Sequence, residues 1–127
     1  MPTNFPAVTG QVVTADFANQ LVAYSVTTET GSYTIDNDDL YQVFIQLSAA
    51  GTKTVTIAPD STLTAAVVGS AVTFCNTGAG LLTFAAGSGV TITSAGAVSA
   101  APTLAQHKVA QCVRISANTW RIYGGIA

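Results

Sequence analysis

The chain has 127 residues, enough for one domain with a real core. Only 8% of them are charged, against roughly 25% in ordinary soluble domains, while 49% are hydrophobic and the formal charge is -2. This balance argues against nucleic-acid binding, which needs a clustered basic face; Lys53, Lys108, Arg114 and Arg121 are scattered. It also argues against a membrane helix. The most apolar stretch, residues 63–74, is interrupted by Thr64, Gly69, Ser70 and Thr73 and is shorter than the roughly 20 apolar residues a span needs. A surface so poor in charge is association-prone, so we expect an obligate oligomer or a component of a larger shell.

Residues 1–10 differ from the rest. Pro2 and Pro6 favour extended backbone, Phe5 is an apolar anchor and Gly10 ends the segment. We read an extended amino-terminal arm, with a single β domain over residues 11–127. The arm lacks the basic region and apolar run of a secretion signal. Cys75 and Cys112 are therefore expected as free thiols in a reducing compartment, with a disulfide as the alternative. Residues 14–19 and 38–41 are each predicted to form about one helical turn, the first capped by Thr14.

Beyond them the sequence reads as short strands. In Gln42-Val43-Phe44-Ile45-Gln46-Leu47, one face carries Val43, Ile45 and Leu47, and the other carries Gln42, Phe44 and Gln46. That second, neutral and amphipathic set suits a subunit interface, where charge is disfavoured. Val55 and Ile57 alternate with threonines, and Val72 with Phe74, Ile92 with Thr91 and Thr93, Val113 with Ile115, and Trp120 with Ile122 repeat the device. Gly51, Gly78, Gly80, Gly87, Gly89, Gly96 and Asn118 punctuate these runs, and Pro59 ends one. The glycines read as hairpin glycines. The pattern predicts an all-β fold, an antiparallel sandwich or barrel of jelly-roll type.

Catalytic chemistry is hard to assemble from these residues. The single histidine, His107, has Cys112 nearby in sequence, yet no carboxylate follows Asp60 to orient it. Asp36-Asn37-Asp38-Asp39 lacks the remainder of a calcium loop and reads as a capped turn. No paired carboxylates flank an aromatic cleft, and no helix follows the glycines to receive a phosphate. We expect no enzyme, no cofactor and no metal. Tyr24, Tyr33, Tyr41 and Trp120 are the aromatic candidates for a glycan or receptor site.

Ser32-Tyr33-Thr34-Ile35, Asp38-Asp39 and Thr54-Val55-Thr56-Ile57-Ala58-Pro59 come in that order along the chain. They are followed by Gly69-Ser70-Ala71-Val72-Thr73-Phe74, Gly78-Ala79-Gly80, Leu82-Thr83-Phe84 through Val90-Thr91-Ile92, and Ala117-Asn118-Thr119-Trp120-Arg121-Ile122-Tyr123-Gly124. This succession resembles the β-rich modules of tailed-bacteriophage fibre, spike and head-decoration proteins. The resemblance implies a structural virion protein, commonly a homotrimer, with no catalytic residues. Because no repeat or coiled-coil stalk is visible, we expect a decoration or cement protein on the capsid surface, assembled in the host cytoplasm. Its partners would be further copies of itself and the major capsid protein. The arm residues Thr3, Asn4, Phe5 and Pro6 would touch the capsid, and Gln42, Phe44 and Gln46 the neighbouring subunit. A receptor- or glycan-binding fibre tip is the alternative.

Overall fold

The computed structural model describes residues 23–94 and 101–127. The arm residues Thr3 to Pro6, the domain boundary at residue 10 and the helical turn expected over 14–19 lie outside them.

Among the described residues the fold is all-β, with one short 3-10 turn at Asn37–Leu40. The strands are β1 Ser25–Glu29, β2 Tyr33–Thr34, β3 Val43–Leu47, β4 Lys53–Ile57 and β5 Ala71–Asn76. They continue with β6 Leu82–Ala86, β7 Thr91–Ser94, β8 Thr103–Leu104, β9 Val109–Ser116 and β10 Thr119–Gly124. They form two mixed sheets, a six-stranded one in the order β1-β3-β5-β9-β10-β7 and a four-stranded one in the order β2-β4-β6-β8.

The chain alternates between the sheets. β1, β3 and β5 stack in parallel in the larger sheet, and β2, β4 and β6 stack in parallel in the smaller. Each consecutive pair, β1 with β2, β3 with β4 and β5 with β6, is thus one coil laid against the next. The β9–β10 hairpin then inserts between β5 and β7, antiparallel to β5, while β7 pairs in parallel with β10. β8 runs antiparallel to β6, and its far side is closed by an antiparallel bridge from Leu104 to Ile126.

This corrects the expected antiparallel pairing. It holds for β5–β9, β9–β10 and β6–β8, and the remaining pairings are parallel. The physical reason is that a period of two reports only that one face of a strand is buried. Hairpins and coils produce the same alternation. Most of the glycine-rich segments are accordingly not hairpin turns. Residues 77–81 and 87–90 carry the chain from one sheet to the other, and only the turn at Ala117-Asn118 closes a hairpin between described strands.

Both sheets contribute to one core. Ile45, Leu47, Val72, Phe74, Cys112, Trp120 and Ile122 from the larger sheet meet Val55, Ile57, Leu82, Phe84 and Leu104 from the smaller. Phe74 and Phe84 meet edge to face across the sheets, ring centroids 5.6 Å apart, the geometry that the aromatic quadrupole favours. Loops from successive coils stack tightly at one corner. A Cβ on Gly78 would collide with the Ala49 carbonyl, and one on Gly80 with that of Gly51.

Candidate interaction surface

The strand register fixes which side chains share the outer face of the six-stranded sheet. Val26, Phe44, Thr73, Gln111 and Tyr123 lie in one row across β1, β3, β5, β9 and β10. Thr28, Gln46, Cys75 and Val109 form a second row, and Ala71, Val113, Arg121 and Thr93 a third. In the first row the Tyr123 hydroxyl donates to Gln111 Oε1, and Gln111 Nε2 donates to Thr73 Oγ1 at 3.3 Å. Arg121 is the one charge in these three rows. Val26, Val109, Ile115 and Tyr123 remain exposed on this sheet, so it offers a neutral, partly apolar surface already stiffened by its own hydrogen bonds.

Two of the three residues expected at a subunit contact, Phe44 and Gln46, stand on this face and are half-buried. Gln42 does not join them on the strand. It sits in the preceding turn with φ 56°, and its carbonyl accepts the Ser25 amide at 2.9 Å.

The acidic segment is spent on local structure. Asp36 caps the 3-10 turn by accepting the Asp38 amide at 3.0 Å. Asp39 Oδ2 accepts the Asp36 amide at 2.9 Å and the Tyr33 hydroxyl at 2.8 Å, completing a capping box. Burial raises the Asp39 carboxyl above its ordinary value; the bonds from Asp36 and Tyr33 oppose the rise, and the neighbouring Asp36 and Glu29 charges add to it. Burial, and then Asp39 itself, push the Tyr33 phenol up as well. No group of three or more His, Cys, Asp or Glu among the described residues is placed to hold a metal ion.

The other sequence candidates are separated by the fold. Trp120 is fully buried, a correction to its listing among glycan-site aromatics, because its alternation with Arg121 puts it on the core face. Tyr33 is tied to Asp39, while Tyr24 and Tyr41 are exposed. His107 occupies an exposed turn with φ 66°, whereas Cys112 faces the core, where burial raises its thiol well above the ordinary value. Cys75 and Cys112 are free and point to opposite faces of adjacent strands, an arrangement that cannot be bridged without moving backbone.

Two features, one buried and one half-buried, carry weak or no sequence signal. Lys53 is 2% exposed, and its ammonium donates to the carbonyls of Ala49 at 2.7 Å and Gly80 at 2.9 Å, tying together the loops that stack at the glycine corner. Burial lowers its pKa. Its inward phase was legible, since by period two Lys53 shares a face with Val55 and Ile57. Asp60 instead accepts a two-pronged bond from Arg114 and the Asn118 amide, and no sequence spacing announces that contact.

No helix among the described residues is long and apolar enough to cross a membrane. Comparison with family models, curated proteins and solved structures gave no match.

Proposed function

We propose that this chain is a multi-copy structural protein, a capsid-decoration or cement subunit of a tailed bacteriophage that binds the assembled head as a homotrimer and stabilises it. The observation that carries the reading is the broad outer face of the six-stranded sheet, neutral apart from Arg121 and partly apolar. The segmental resemblance to phage head and fibre modules supplies the biological setting, and the low charge content supports burial of surface between subunits.

In this reading the two sheets form a sandwich, Phe44 and Gln46 belong to the subunit contact, and residues Thr3, Asn4, Phe5 and Pro6 reach the major capsid protein. A protein that binds only the assembled shell stabilises it by mass action. No catalytic step, cofactor, nucleic acid or membrane enters. The protein resides on the virion surface after assembly in the host cytoplasm.

The test is its copy number per purified particle, measured by quantitative mass spectrometry against the major capsid protein. A ratio comparable to that of the capsid protein is expected. A few copies per particle would favour the receptor- or glycan-binding tip, for which exposed Tyr24 and Tyr41 are the aromatic candidates. Absence from particles would overturn both.

A further inference from the structure

We propose, resting on the multi-copy reading above, that copies of this chain exchange β1. The strand of one copy lies along β3 of the next, with Val26 and Thr28 of the donor beside Phe44 and Gln46 of the acceptor.

The sequence of β1, Ser25-Val26-Thr27-Thr28-Glu29, does little to hold it in its own fold. Strands β3, β4 and β5 alternate buried and half-buried residues, whereas Ser25, Val26, Thr27 and Thr28 are exposed on both faces. Thr27 stands opposite Ile45 in register, yet Ile45 is fully buried and Thr27 is exposed, so the core stops at β3. Val26, the one large apolar side chain of the strand, is 61% exposed. What remains is the parallel ladder to β3. It is bounded by the Ser25 amide on the Gln42 carbonyl at 2.9 Å and the Ser48 amide on the Glu29 carbonyl at 3.0 Å. A strand held by backbone bonds with little apolar burial opens at small cost. These bonds lie on the side of β1 that faces β3, so the exchange does not depend on what lies on its other side.

The chain also has a place to turn. The Ser32 hydroxyl accepts the Thr54 amide at 3.0 Å, and β2 pairs with β4 from Tyr33 onward. Thr30 and Gly31 join this anchor to β1, and a Cβ at Gly31 would meet nothing within 4 Å. A changed path at these two residues lets β1 leave while β2 stays. The β3 edge is then an unpaired template of amides and carbonyls, and the segment matched to its register is β1 of another copy. An exchanged element remakes the same contacts between chains. Passed from each copy to the next in one direction, the strand closes a ring, as a homotrimer requires. Phe44 and Gln46, expected from the sequence at the subunit contact, then border the neighbour's strand.

Disulfide trapping tests the exchange. Adjacent strands place paired Cα atoms about 4.8 Å apart, within the span a disulfide bridges, and Val26 pairs with Phe44. Chains carrying Val26→Cys and Phe44→Cys separately, each with Cys75→Ser, are to be co-expressed, purified and oxidised. The expected product has doubled mass on a non-reducing gel, with position 26 of one chain joined to position 44 of the other by peptide mapping. With both substitutions in one chain, exchange should give covalent oligomers, whereas an unexchanged strand gives single chains in which the two new thiols are lost. Thr28→Cys with Gln46→Cys, the next pair in the same phase, repeats the test with the Phe44 ring intact. Sedimentation velocity of the unsubstituted chain gives the oligomeric state. Oligomers whose links close only within chains, or that form no link with either pair, overturn the exchange and leave the multi-copy reading in place. A monomer at every concentration overturns both.

Discussion

Asp60 joins parts of the chain that are far apart in sequence. Its carboxylate takes Arg114 Nε at 3.2 Å, Arg114 Nη2 at 2.8 Å and the Asn118 amide at 2.9 Å, while Asn118 Oδ1 accepts the Asp60 amide at 2.8 Å. Asn118, with φ 49°, belongs to the β9–β10 turn, so this one carboxylate fixes the hairpin to the connection leaving β4. Asp60→Ala should cost about 2 kcal/mol in urea unfolding, the scale of charge-assisted bonds with a partner left unsatisfied. The Arg114 guanidinium holds the Asp60 carboxyl below its ordinary value. Its stabilisation is thus complete above about pH 4, the ordinary carboxylate value, and is lost as pH falls through the lowered folded value. Asp39 has the opposite sign. Burial raises it, so its favourable term is present below the ordinary carboxylate value and is lost as pH rises through the raised folded value. Asp60→Asn should therefore flatten the acid limb of a stability–pH curve, and Asp39→Asn should remove a decline on its neutral side. A thiol reagent offers a separate check. Half-buried Cys75 should react in the folded protein, and Cys112 only on unfolding.

At the scale of elements, the corner where Gly78 and Gly80 pass under the loop from Ala49 to Gly51 has no room for a side chain. Gly78→Ala should destabilise by about 2 kcal/mol or more, because the clash is with backbone rather than with a side chain that can yield. Lys53→Met keeps the length of the side chain but strips donors from the Ala49 and Gly80 carbonyls. It should cost about 1–3 kcal/mol by chemical denaturation. The faces of β3, β4, β5 and β10 were legible in the sequence, but not that of β9, where Ala110 and Cys112 turn to the core while Val113 and Ile115, expected as the apolar side, lie outward. The threonines of Thr54-Val55-Thr56 mark the outer side, and Lys53 falls inward in phase with Val55 and Ile57. The partner of each strand was not. Val43 pairs with Val72, and Val55 with Phe84, across intervals that no local turn specifies. Phe44 and Gln46 could be found as a neutral outer pair from alternation alone. Gln42 could not be separated from them, because its left-handed backbone depends on the chain turning there to meet Ser25.

For the molecule as a whole, hydrogen exchange should distinguish its two boundaries. The Val26 and Thr28 amides point away from β3 toward no described strand and should exchange quickly, whereas the bonded Thr103 and Ala127 amides should be protected. Protection of Val26 and Thr28 in a verified monomer would show that the edge is covered from within the same chain.

The insertion of the hairpin also dictates when the fold can form during synthesis. β7 leaves the ribosome before β9 and β10, yet among the described strands its one partner in the sheet is β10, and β10 is held to β5 through β9. The three parallel coils can stack as they emerge, but β7 must wait with its pairing groups unmet until β10 arrives. Nascent chains stalled with Ser94 clear of the ribosome and β9 still within it should therefore remain protease-sensitive at β7, and release of residues through Gly124 should close the sheet in one late step.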